Sequence, residues 1–90
     1  MKKELDKKWY VYILKCSDNT LYTGITTDVT RRLKEHNNGR GAKYTRNRRP
    51  IELMTVFEVN NRSEASKEEY RIKQLKREEK FKLININNEK

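Results

Sequence analysis

Ninety residues with 22 Lys/Arg against 13 Asp/Glu, a formal charge of +9, make one small domain with room for a single core and no second module. An apolar fraction of 33% against 39% charged is lean, yet the aromatic and β-branched residues fall in short periodic runs, which argues against a disordered chain. The longest apolar run, Trp9 to Leu14, is too short to span a bilayer, Glu4 and Asp6 stand where a signal peptide carries its apolar segment, and the single Cys16 has no partner for an internal disulfide, so a cytoplasmic protein without membrane association is expected.

The stretch WYVYILKC, residues 9 to 16, is aromatic and β-branched on both faces and reads as a central strand covered on both sides, with Cys16 packing at its end. SDNT supplies turn formers, and LYTGI from Leu21 is a second strand completing a hairpin. Gly24 weakens that strand and marks a place where another backbone or a ligand comes close. Thr27 or Asp28 caps a helix that runs to about His36 and stops at NNGRG, where asparagine and glycine suit the positions beyond a carboxy terminus. Val29, Arg32, Leu33 and His36 share one face of it. A charged arginine therefore points where apolar neighbours point, and it needs a negative partner.

NNGRGAKYTRNRRP then reads as a fourteen-residue polar loop, long enough in so small a domain to be functional or mobile. Residues 31 to 50 hold eight Lys/Arg and one acid, Glu35, a charge of +7, whereas the other seventy residues contribute +2. A solubilising surface mixes signs; a focused patch of this kind attracts polyanions, and nucleic acid is the preferred reading. IELMTVFEV alternates as a third strand, with Ile51, Leu53, Phe57 and Val59 on one face and Glu52 and Glu58 on the other. Asn61 with Glu64 resembles a capping box opening a helix that turns Ala65, Ile72 and Leu75 inward, and KREEKFKLI is a further short helix packing Phe81 and Ile84. The fold class expected is α/β (α+β): a three-stranded mixed or antiparallel sheet flanked by helices, in the order β-β-α-β-α-α. One domain fills residues 1–90, with its core at about 8–84 and flexible ends at 1–7 and 85–90. No apolar stripe is left over once this core is filled, so a monomer is expected.

In combination, YVY at Tyr10–Tyr12, YTG at Tyr22–Gly24, the arginine eight residues beyond that glycine, His36, and EYRIK from Glu69 resemble the GIY-YIG nuclease domain. The likeness covers roughly residues 8 to 84 and is greatest to the small stand-alone members, of which GRGAKYTRNRRP before the third strand is also typical. Tyr10 replaces the first glycine and Thr23 the second isoleucine. The late asparagine of the family has no assigned counterpart, although Asn85 and Asn87 lie in its region.

The resemblance implies metal-assisted hydrolysis of a phosphodiester, with Mg²⁺ or Mn²⁺ at a single site held by Glu69, phosphate oxygens and waters. Arg32 would neutralise charge on the phosphate, where a planar and permanently charged fork suits better than lysine, its alternative being an ion pair with Glu68 or Glu69. Tyr12 would orient or deprotonate the attacking water, and Tyr22 would hold the phosphate or share the proton relay. On spacing alone both tyrosines read as half-buried packing residues. His36 would transfer a proton or contact the scissile phosphate; without the resemblance, a histidine in a last helical turn suits the helix dipole. By helical angle Glu68 is as fair an inward residue as Glu69, and the family pattern selects Glu69.

Gly24, Arg40, Lys43, Tyr44, Arg46, Arg48 and Arg49 complete the expected nucleic-acid-binding set, the glycine leaving a cleft for phosphate, the cations holding the backbone and Tyr44 stacking on an exposed base. Backbone contacts carry no sequence information, so the expected ligand is branched or single-stranded DNA read by shape, or specificity comes from a protein partner. Two classes of function result: a metal-dependent, structure-selective endonuclease, and a non-catalytic or weakly catalytic accessory module on DNA or structured RNA. The unassigned asparagine motivates the second.

Overall fold

The structure, a computed structural model, describes residues 7–90. Strands β1 (Trp9–Lys15), β2 (Leu21–Thr26) and β3 (Glu52–Val59) form one sheet in the order β2-β1-β3, with every pairing antiparallel. Helices α1 (Val29–Asn37) and α2 (Lys43–Arg46) lie between β2 and β3 in the chain, and α3 (Arg62–Lys73) and α4 (Arg77–Asn88) follow. The expected β-β-α-β-α-α order holds, and the single turn α2 is an addition inside what reads as a continuous loop. Among the described residues no helix is long and apolar enough to cross a membrane.

β1 is central because it is the strand that is apolar on both faces. Its residues alternate between two cores. Val11 and Ile13 pack under Ala65 and Ile72 of α3 and Ile84 of α4, with Phe57, Val59 and Phe81 around them. Tyr12, Leu14 and Cys16 face the other way, toward Ile51, Leu53 and Leu33 of α1. The β1–β2 turn is closed by the Asp18 carboxylate, which accepts from the Thr20 amide and hydroxyl, with Asn19 in the left-handed region. Asp28, one of the two expected caps, accepts from the Arg31 amide at 3.0 Å and starts α1; Gly39, at φ +79, ends it.

One departure lies in β3. Ile13 faces Thr55 and Leu14 faces Leu53, so Met54 is an extra residue in the ladder. Strict alternation puts Leu53 beside Phe57 and Val59. The bulge instead turns Ile51 and Leu53 to the Tyr12 face while Phe57 and Val59 stay on the Val11 face.

The expected fraying from residue 85 is corrected over Asn85–Asn88, which are helical. Asn87 Nδ2 donates to Thr55 Oγ1 at 2.7 Å and to the Val56 carbonyl at 2.9 Å, and Asn88 Nδ2 donates to the Met54 carbonyl at 2.9 Å. β3 is an edge strand, and these amides satisfy its outer carbonyls, as an exposed edge requires. The other expected flexible end, apart from Lys7, lies outside the described residues. Asn87→Ala should cost about 1–2 kcal/mol by removing these bonds, read as a lower urea midpoint. An unchanged midpoint would mean that the end of α4 contributes nothing to the fold.

Candidate active site

Tyr12 stands opposite Gly24 across the β1–β2 ladder, and a Cβ at that glycine would collide with the tyrosine ring and hydroxyl. The ring therefore lies over Gly24, aimed at the edge strand β2. The cleft expected there for phosphate is filled by the protein's own tyrosine, which is 2% exposed. Glycine at this position makes room for a side chain rather than for a ligand.

His36, in the last turn of α1, is 0% exposed. Its Nε2 is 2.9 Å from the Tyr12 hydroxyl and its Nδ1 is 2.7 Å from Thr45 Oγ1 on α2. Gly41 presses so closely on the imidazole that a Cβ would collide with the ring and with the His36 backbone. Burial, helped by the charge of Arg32, pushes the His36 pKa down to about 4. The ring is neutral at pH 7, so the helix-dipole explanation, which needs an imidazolium, does not apply. The ring has no exposed surface, and the group facing its Nε2 is the Tyr12 hydroxyl.

Burial pushes the Tyr12 hydroxyl above its ordinary value, while hydrogen bonding and charge from Arg32 pull the other way. Arg32 Nη1 bonds Glu35 Oε1 at 2.8 Å, so its partner is neither of the two glutamates expected. Those pair within α3, Glu68 with Arg71 at 2.7 Å and Glu69 with Lys73 at 3.2 Å. Lys73 Nζ also lies 5.8 Å from the centre of the Tyr22 ring, and the Glu69 charge is felt at Tyr12, so this end of α3 reaches the site. Tyr22 meets His36 edge-on at 5.5 Å. Tyr12, Tyr22, Arg32, His36 and Glu69 are thus gathered at the β2 edge from two strands and two helices. Thr45 and Gly41 are additional members that carry no signal in the sequence beyond their place in GRGAKYT.

The nucleic-acid set divides. Tyr44 is stacked on Tyr22 at 5.8 Å with Arg48 4.0 Å over its ring, so it is not a free platform for a base. Arg48 bonds Asp18 at 3.0 Å and the Tyr44 carbonyl at 2.7 Å, while Arg49 donates to the Arg46 and Asn37 carbonyls. Both arginines hold the loop together. Arg40, Lys43 and Arg46 are exposed, as are Arg31 and Lys34 of α1, and none of the five side chains has a partner among the described residues.

Among the described residues no three His, Cys, Asp or Glu side chains cluster as a metal cage. Glu69 is a lone carboxylate with a 24% exposed side chain. That donor set fits a hard cation such as Mg²⁺, which keeps most of its water and takes one carboxylate beside substrate oxygens, and it does not fit a softer metal.

Residues 8–83 match the family model of the GIY-YIG catalytic domain. The chain belongs to the GIY-YIG family. It is 56% identical over 80 residues to the UPF0213 protein OB0043 of Oceanobacillus iheyensis, which covers 89% of this chain and 93% of that one. It is similar to the solution NMR structure of the protein EF2693 from E. faecalis, 42% identical with a TM-score of 0.66 over 97% of this chain and 93% of that one. It is also similar to the NMR structure of the UPF0213 protein BH0048 from Bacillus halodurans, 47% identical with a TM-score of 0.58 over 88% and 84%. The match covers Tyr12, Tyr22, Arg32, His36 and Glu69 alike, and it extends over the GRGAKYT segment.

The depressed His36 pKa has a stability consequence. Unfolded, the imidazole takes a proton near 6.5; folded, it resists protonation until about 4. Across that window the unfolded state holds more protons, so stability falls as pH falls, by about 3 kcal/mol in all. Asp18 and Glu35, whose pKa values are lowered, lose their contributions only at more acidic pH. Urea midpoints between pH 7 and 5 should therefore drop in the wild type and stay level in His36→Gln. Parallel curves for the two proteins would show that His36 is not the titrating group.

Proposed function

We propose that the chain is a divalent-metal-dependent endonuclease that hydrolyses phosphodiester bonds in DNA, selecting structure rather than sequence. The observation that carries this reading is the buried Tyr12–His36 hydrogen bond with Arg32 beside it, in a chain of the GIY-YIG family.

A tyrosine whose pKa is raised is a poor base alone. Bonded to a neutral imidazole, it can take a proton from water while passing its own to His36 Nε2. The water oxygen then attacks phosphorus in line, and the bond to the leaving sugar oxygen breaks. Without substrate this transfer is uphill, because Tyr12 holds its proton tightly and His36 accepts one poorly. A bound phosphodiester anion changes the balance by favouring the imidazolium. Arg32, held ready by Glu35, neutralises charge on the non-bridging oxygens. Tyr22, packed against His36, orients the phosphate or shares the relay. Glu69 would hold Mg²⁺ or Mn²⁺, which supplies charge stabilisation at the developing oxyanion.

The five free cations Arg31, Lys34, Arg40, Lys43 and Arg46 would carry the nucleic-acid backbone. They read no bases, so branch or single-strand geometry, or a protein partner, supplies selectivity. A monomer in the cytoplasm suits the free, buried Cys16. A second reading, an accessory binder of DNA or structured RNA with little turnover, is favoured by Asn87: its amide is engaged by Thr55 and the Val56 carbonyl and bonds none of the gathered side chains.

Cleavage of labelled flap, branched, duplex and single-stranded DNA with Mn²⁺ separates the two. Glu69→Ala should cut about 100-fold more slowly, the loss of about 3 kcal/mol of transition-state stabilisation, while still binding. Binding to duplex DNA should weaken with salt at a log–log slope of about −4.5, set by five neutralised phosphates. Binding with that slope but no cutting by either protein would favour the accessory reading, and a flat salt response would remove nucleic acid altogether.

A further inference from the structure

We propose that Thr45 is the positioning residue that decides which nitrogen of His36 carries the proton, and so makes the imidazole an acceptor for Tyr12. The inference rests on the nuclease reading above for its role in cleavage, though not for its structural content.

The argument is a count of protons. Thr45 Oγ1 lies 3.0 Å from the Ala42 carbonyl and 2.7 Å from His36 Nδ1, and its hydroxyl has one hydrogen. That hydrogen can serve the Ala42 carbonyl, which only accepts, or a bare Nδ1, and the arrangement in which every buried donor is used sends it to Ala42. The Thr45 oxygen is then an acceptor, and Nδ1 must be the N–H. A neutral imidazole has one N–H, which leaves a bare lone pair on Nε2 facing the Tyr12 hydroxyl at 2.9 Å. Tyr12 therefore donates.

The opposite tautomer fails at the far end of the chain. It would place an Nε2–H against Tyr12, whose hydroxyl hydrogen has no other acceptor among the described residues. No buried side-chain nitrogen or oxygen among them is unpaired in the observed arrangement. The Thr45 end accommodates the proton placement that the Tyr12 end requires.

Thr45 is 0% exposed and is brought to the ring by two features of the loop. Gly41 allows the backbone to lie against the imidazole, and the turn of α2 begins at Ala42, whose carbonyl accepts both the Thr45 amide and its hydroxyl. A threonine serving only to cap a short turn would need neither the burial nor the bond to His36. Gly41 and Thr45, four residues apart, are thus the part of the basic loop that serves the site rather than the backbone of a nucleic acid.

His36 is the chain's sole histidine, so ring nitrogen signals of a tag-free ¹⁵N-labelled protein are unambiguous. Long-range ¹H–¹⁵N spectra at pH 7 should show Nδ1 protonated and Nε2 bare in the wild type. Thr45→Val should abolish that preference and slow DNA cleavage about 100-fold with DNA binding unchanged, the scale of losing a correctly protonated base. Thr45→Ser, which keeps the hydroxyl, should restore both the tautomer and the rate. Protonation of Nε2 in the wild type would overturn the proposal, as would a Thr45→Val protein with the wild-type tautomer. If Thr45→Val does not fold, the wild-type and Thr45→Ser spectra still decide. A wild type with the stated tautomer that cuts no DNA would uphold the proton placement and sink the nuclease reading alone.

Discussion

A histidine ring cut off from water must find a partner for each nitrogen inside the protein, because an unpaired buried polar group costs about as much as a whole hydrogen bond gains. Much of this molecule follows from that requirement at His36. Nε2 is met by Tyr12, whose ring reaches it only because residue 24 has no side chain. Nδ1 is met by Thr45, which arrives only because residue 41 has none. The loop that carries Thr45 has to be held at both ends. Asn37 does so, its side chain accepting from the Ile51 amide at 2.7 Å and donating to the Ile51 carbonyl at 3.1 Å, a pairing that imitates a strand partner. Two glycines, one asparagine and one threonine thus serve a single imidazole.

What was legible in the sequence is what has a period or a cap. β1 announced itself as central by being apolar on both faces, α1 by Asp28 at its start and Gly39 after its end, and α3 by Asn61, whose side chain accepts from the Glu64 amide. Illegible were the features decided by tertiary pairing. The bulge at Met54 turns Ile51 and Leu53 to the Tyr12 face, and nothing local in IELMTVFEV marks it. The helical end of α4 has no mark of its own in NINNEK, which looks like a fraying tail apart from the β3 carbonyls that its asparagines meet. At the site, the family likeness selected the residues that gather, whereas spacing could not choose between Glu68 and Glu69. Thr45 was hidden by its setting, a small polar residue among arginines.

Counting charges also gave too simple an account of the basic loop. Eight cations in twenty residues read as one surface, but their contacts divide them into two groups. Arg48 and Arg49 point their donors at Asp18 and at backbone carbonyls, and Arg32 is tied to Glu35. Guanidinium groups can bind several carbonyls at once, so they substitute for the regular hydrogen bonds an irregular loop lacks. The remaining cations are those whose side chains stand clear. Tyr44 shows the same division: its exposed position suggests a platform, yet Arg48 and Tyr22 already lie against it.

An inward and an outward group of side chains meet in α2. Its four residues run Lys43, Tyr44, Thr45, Arg46, and within that single turn the threonine points inward to His36 while the lysine and arginine point out to solvent. A one-turn helix has too few internal hydrogen bonds to hold its own orientation, so its position is set by what its side chains touch. Here those contacts are the buried imidazole on one side and, on the proposed reading, a phosphate backbone on the other. On that reading recognition and proton transfer share one turn of chain, because a core as lean as this one leaves little room to build them separately.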